Sequence, residues 1–179
     1  MSVLPVVKYG DPILRQKVKS VNLNKIEFLV DFIDDMFDTM YEEEGIGLAA
    51  NQVGKDLNLM VIDVTHLDEY EHLEPIVFIN TEIIEEEGSI EIEEGCLSIP
   101  EIRASISRAE SIIIKFYDIN GVSKTEKFSG MLCRVILHEI DHLNGKFFTD
   151  YLSPAKRKLV HNKLIEISKN GFPSTGVII

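Results

Sequence analysis

The sequence has no tryptophan, only two cysteines, and 8% aromatic residues among its 179. Two cysteines cannot staple a disulfide scaffold. In a reducing compartment Cys96 and Cys133 are expected as free thiols, used for metal binding, catalysis or packing. No apolar run approaches the roughly 18 residues that would cross a bilayer. Residues 1–8 lack the basic segment and long apolar stretch of a secretory leader. No membrane association is expected, and a cytoplasmic location is. Basic residues are also scarce, with 18 Lys and Arg against 30 Asp and Glu, a net charge of −12 and a pI near 4.8. That balance argues against DNA as a partner, while leaving room for a local basic patch. Repeats and low-complexity linkers are missing too. With 45% hydrophobic and 27% charged residues, residues 1–179 read as one domain, or one domain with a short appendage, with an adequate core.

Hydrophobic spacing predicts a helix over residues 24–43, capped by Asn24 with Glu27 three positions on, and ended by Gly45 and Gly47. Strands are predicted at 57–64, 76–79, 82–86, 101–107, 111–117 and 122–128. Asn120-Gly121 marks a hairpin between the last two, because both residues tolerate positive φ. Residues 131–143 read as a helix apolar on nearly all sides, hence buried, and stopped by Asn144-Gly145. A third helix, 154–170, starts at Ser153-Pro154. The acidic clusters 42–44, 85–87 and 91–94 read by pattern alone as solvated faces or turns. Strands in the middle with helices towards both ends predict an α+β fold, with antiparallel sheets packed around a central helix and a C-terminal helix.

The strongest local signal is His138-Glu139-Ile140-Asp141-His142. Two histidines at i and i+4 share one helix face and can reach a single metal ion, with Glu139 beside them to move a proton. Burying two histidines without partners would be costly, which favours the metal reading over incidental placement. A catalytic site wants a third protein ligand and an open position. Downstream only His161 and Glu166 are available, on a helix with a polar, surface character. Upstream, Cys96 in Glu94-Gly95-Cys96-Leu97-Ser98 offers a soft thiolate suited to Fe(II) or Zn(II). Taken alone that segment would be an ordinary core cysteine; the histidine pair makes it a ligand candidate. Cys133 precedes His138 on another helix face and reads as core.

Gly45-Ile46-Gly47-Leu48-Ala49-Ala50 formally fits a dinucleotide-binding fingerprint. That reading fails, because a helical acidic stretch precedes it where a strand is needed and would repel a pyrophosphate. An extended segment whose glycines let backbone approach a ligand fits better. Gln52 follows closely, and its amide can donate to a developing oxyanion.

Three motifs in order, residues 45–52, 94–98 and 138–142, resemble the peptide deformylase family, with every specified position matched. The flanks Gly10-Asp11-Pro12-Ile13-Leu14-Arg15, Ile99-Pro100-Glu101-Ile102-Arg103, Leu143-Asn144-Gly145-Lys146 and Asp150-Tyr151-Leu152-Ser153-Pro154 extend the likeness over nearly the whole chain. Residues 82–94 and the tail 171–179 carry less of it.

The resemblance implies a metal-dependent hydrolase that removes the formyl group from N-terminal formylmethionine of nascent polypeptides and releases formate. It implies Fe(II) held by Cys96, His138 and His142, with Zn, Ni or Co as substitutes. Glu139 would be the proton-transferring base, and the Gln52 side chain and Leu97 backbone N–H the oxyanion donors. Ile46, Gly47 and Gly95 would meet the substrate, with Arg103 as a further contact. Met131 and Val135 are candidates for the pocket that takes the methionine side chain. Arg134 stands where an apolar residue is expected, so the lining there is open. The C-terminal helix carries Lys156, Arg157, Lys158, Lys163 and Lys169 against Glu166, and the resemblance implies that it docks on the ribosome. Two rival readings are a zinc endopeptidase, which would need a different third ligand, and a non-catalytic metal-binding protein with a closed coordination sphere.

Overall fold

The structure, a computed structural model, describes residues 2–170. Met1 and the tail 171–179, hence the outer ends of the expected domain, lie outside the described residues.

Among the described residues, seven strands form two antiparallel sheets. They are β1 (Gly47–Ala49), β2 (Leu59–Ile62), β3 (Ile76–Glu87), β4 (Ile90–Cys96), β5 (Ile99–Arg108), β6 (Ser111–Tyr117) and β7 (Ser123–Ser129). The larger sheet has the order β1-β2-β3-β6-β7, and β4 pairs with β5 in the smaller. Three α-helices complete the fold: α1 (Val30–Glu42), α2 (Gly130–Leu143) and α3 (Pro154–Asn170). The expected α+β class, central helix and C-terminal helix are all present.

α2 is the centre, and residues 132–143 are all buried. Its Leu132, Val135, Ile136 and Ile140 pack with Met60, Phe78, Ile114 and Phe116 of the larger sheet. The other side of that sheet meets α1 through Ile33, Met36 and Met40, with Leu59, Val61 and Ile79. A third cluster joins Cys96, Ile99, Ile102 and Ile106 of the β4–β5 hairpin to Phe147, Phe148 and Ile167. α2 is therefore packed by apolar surface against the larger sheet and tied to the smaller one by polar contacts from Arg134 and His138, which hold the histidine face in place.

Several local expectations hold. β6 and β7 form a hairpin pairing Tyr117 with Ser123, and Gly121 takes φ +73° in its turn. Gly145 takes φ +72° just past α2. Ser153 Oγ accepts from Lys156 N–H at 3.3 Å at the start of α3.

Other expectations need correction. The helix predicted to start at Asn24 instead begins with a 3₁₀ stretch, Leu23–Leu29, capped by the Asn22 side chain and broken at Lys25 (φ −127°). The strands expected at 76–79 and 82–86 are one strand. Its register shifts past Ile79, and Asn80 takes φ +53° while its amide holds the Val21 backbone. A bulge interrupts the alternation of side chains without ending the strand. The acidic stretch that read as solvated forms β4, and Glu94 within it is fully buried.

Candidate metal and hydrolytic site

Cys96 sits at the tip of the β4–β5 hairpin, where it pairs with Ile99 across a turn made by Leu97 and Ser98. His138 and His142 project from one face of α2 towards it. Ligand atoms of Cys96, His138 and His142 all lie within 4.8 Å of one another, and all three residues are buried. Cys96 Sγ is 3.1 Å from His142 Nε2. One sulfur and two imidazole nitrogens converging in a buried site form a donor set suited to Fe(II) or Zn(II). Among the described residues this is the group of His, Cys, Asp and Glu that could hold an ion. His161 and Glu166, on α3, are not part of it.

The histidines are held differently. His138 Nδ1 hydrogen bonds to Glu94 Oε2 at 2.8 Å, which directs its other nitrogen to the cluster. Burial disfavours a charged His138, but hydrogen bonds with Cys96 and Glu94 outweigh it, and the pKa is pushed up to about 10. Burial, and the charges of His138 and Arg108, hold His142 well below its ordinary value. Phe148 stacks beside His138, and Phe147 lies edge-on to His142.

Glu94 was not assigned a role from sequence, yet three side chains, Arg108, Arg134 and His138, meet on it. Arg108 donates to both of its oxygens at 2.6 and 3.0 Å, and Arg134 donates at 2.9 Å. Arg108 also grips Asp141 at 2.6 Å, and Asp141 accepts from the Tyr151 hydroxyl at 2.9 Å. Burial would raise the Glu94 pKa, but the bonds from His138 and Arg108 hold the carboxyl well below the usual carboxylate range. This settles Arg134: it is 1% exposed and spends its guanidinium on Glu94, Ile106 O and Ile90 O. The available signal was the glutamate two positions before Cys96 and the aspartate inside the histidine motif. Their partner, Arg108, carries no local pattern.

Glu139 is 1% exposed. Burial, against the opposing charge of His138, pushes its pKa up to about 7, the range that suits proton transfer near neutral pH. Gly47 lies directly against it. A Cβ on Gly47 would stand 2.7 Å from Glu139 Oε1 and 2.7 Å from Val135 Cγ1. Close approach, rather than an unusual φ, is what requires glycine here. Val135 is fully buried at this contact, and Met131 packs at the edge of the core.

Gln52 lies in a 3₁₀ turn, Ala50–Val53, that follows β1. Its Oε1 accepts from Ala49 N–H at 2.8 Å, so its amide nitrogen points to Cys96 Sγ (3.7 Å) and Ser98 Oγ (3.4 Å). The neighbouring Asn51 ties this turn to the end of α2 by donating to His142 O at 2.6 Å. Gly95 and Leu97 flank Cys96 and are buried. Ile46 is buried, and its carbonyl accepts from Asp63 N–H at 3.0 Å. Arg103 lies on the exposed face of the β4–β5 hairpin against Glu93.

Residues 3–158 match the family model for polypeptide deformylase. The chain belongs to the polypeptide deformylase family. The peptide deformylase of Xylella fastidiosa (strain 9a5c) is 45% identical over 166 residues, covering 92% of this chain and 95% of the relative. Among solved structures, a peptide deformylase from Legionella pneumophila superposes with a TM-score of 0.83 at 40% identity, over 94% of this chain and 96% of that one. A peptide deformylase from Ehrlichia chaffeensis, solved in complex with actinonin, superposes with a TM-score of 0.84 at 36% identity, over 95% and 100%. The buried cluster of Cys96, His138 and His142 is thus carried on a deformylase fold.

Proposed function

We propose that this deformylase removes the formyl group from N-terminal formylmethionine of nascent polypeptides and releases formate. One observation carries the reading: a buried thiol and two imidazoles converge, with the Glu139 carboxyl and the Gln52 amide beside them. An Fe(II) ion held by Cys96, His138 and His142, with Zn, Ni or Co as substitutes, would supply Lewis-acid polarisation of water and of the formyl carbonyl.

Glu139 takes a proton from the attacking water, whose oxygen bonds to the formyl carbon. The Gln52 amide and the Leu97 N–H stabilise the oxygen on which negative charge develops; losing one such donor typically costs about 10²–10³ in rate. The formyl C–N bond then breaks as Glu139 returns its proton to the departing amine. β1 lies at the edge of the larger sheet, so the substrate peptide adds as a further strand along Ile46 and Gly47. Gly95 and Arg103 contact the substrate from the opposite hairpin. Val135 and Met131 line the pocket for the methionine side chain.

The catalytic unit spans residues 1–179 and acts in the cytoplasm. No helix among the described residues is long and apolar enough to cross a membrane. The basic helix 154–170 docks against the ribosome. Some of its charge is met internally, since Lys163 pairs with Glu101 and Glu166, and Lys156 lies 4.0 Å from Glu91.

The test is formate release from formyl-Met-Ala by anaerobically purified protein, with metal analysis and a Glu139→Ala control. Wild type should release formate and the control should not. No release from metal-loaded wild type overturns the reading.

A further inference from the structure

Three hydrogen bonds join residues 7–9 to the two turns that carry the proposed oxyanion donors. Val7 N–H donates to Gln52 O at 2.7 Å, and Tyr9 N–H donates to Ser98 O at 2.8 Å. Between them, Lys8 Nζ donates to Leu97 O at 3.0 Å. Two consecutive carbonyls of the hairpin turn are therefore held by one short segment, whose preceding residue holds the Gln52 backbone. We propose that Lys8 is a positioning residue of the hydrolytic site, fixing the Leu97–Ser98 turn so that the Leu97 N–H and the Gln52 amide address the same point.

A solvated lysine gains little from a single carbonyl, yet the Lys8 side chain is half-buried, with Glu43 and Cys96 near it. Glu43 Oε2 is itself buried without a hydrogen-bond partner. An ammonium held in that setting stays where a donor is needed. A two-residue turn has few internal restraints, and the direction of its N–H groups follows from the planes of its peptides. Anchoring Leu97 O and Ser98 O fixes the two peptides that follow Leu97 and Ser98, and with Cys96 paired to Ile99 across the turn this limits how far the adjoining Cys96–Leu97 peptide, which carries the Leu97 N–H, can tilt. The leucine side chain is held as well, buried in the apolar cluster that includes Met40 and Leu48.

This inference rests on the deformylase reading, and its test separates the two. Lys8→Met keeps the apolar stem and removes the donor, whereas Lys8→Arg restores a cationic donor. Metal content, Tm, kcat and KM for formyl-Met-Ala, and amide hydrogen exchange over residues 95–99 are measured on the metal-loaded full chain. In Lys8→Met, kcat should fall about tenfold or more, as expected for a misplaced donor. KM should stay within about twofold, exchange over 95–99 should accelerate, and Lys8→Arg should recover most of kcat. A Lys8→Met enzyme with wild-type kcat, or with unchanged exchange, overturns the inference. So does a loss explained by lower metal content or lower Tm. A wild-type protein that releases no formate overturns the deformylase reading and this inference with it.

Discussion

Glu94 Oε2 accepts a hydrogen bond from His138 Nδ1 at 2.8 Å, and the same carboxylate is gripped by Arg108 and Arg134. A proposed ligand on α2 is thereby aimed by a strand of the smaller sheet. Replacing Glu94 should act twice. Glu94→Gln should weaken metal affinity by about 10–100-fold, the usual loss when the partner of a ligating histidine is altered. Glu94→Ala should also leave two buried guanidinium groups without their carboxylate, costing about 3–5 kcal/mol of stability. Chelator competition and denaturant titration check the two effects separately. Undiminished metal retention in both variants would refute the orienting role.

Gly47→Ala asks whether β1 must touch Glu139. The added methyl would meet Glu139 Oε1 and Val135 Cγ1 at 2.7 Å, both within the core contact between β1 and α2. Displacing the carboxylate by a fraction of an ångström to an ångström should lower kcat by up to about 10²-fold. Metal content should be unchanged, because the proposed ligands lie elsewhere. Steady-state kinetics with parallel metal analysis decides this.

Cys133 is buried, and burial pushes its thiol pKa up from an ordinary 9.0 to about 11. Between those values the unfolded chain gives up a proton that the folded chain keeps. The contribution is therefore complete below pH 9 and is lost as pH rises through about 11. Cys133→Ala should flatten the alkaline limb of the stability profile. At pH 8 a thiol alkylating reagent should leave Cys133 unmodified in the native protein, since the thiolate is the reactive form. Peptide mapping after alkylation reads this directly.

Reversing charge on α3 with Lys156→Glu and Lys158→Glu should reduce co-sedimentation with ribosomes, more strongly at low salt than at high. Formate release from a free dipeptide should be unaffected, since both residues lie outside the buried site. Equal co-sedimentation of variant and wild type would remove the docking proposal.

The His-Glu-x-x-His spacing was sufficient to place two imidazoles on one face of α2, because helical periodicity is a local property of the chain. The same holds for the hairpin at Asn120-Gly121 and for the stop at Gly145, where a positive φ calls for a particular residue. Cys96 became a ligand candidate only through its motif and the need for a third donor. Its 3.1 Å approach to His142 Nε2 arises because two sheets close on α2 from different segments. The least legible residue was Glu94. Within an acidic run it looked solvated, and only its place two positions before Cys96 set the buried carboxylate apart from its exposed neighbours. Arg108, Arg134 and His138, drawn from β5 and α2, make that burial possible by supplying charge and hydrogen bonds, and such compensation exists only once the chain has folded. Local pattern therefore determined the elements and the chemistry they could carry. Long-range packing decided which charges would be buried together, because the cost of desolvating a carboxylate depends on partners distant in sequence.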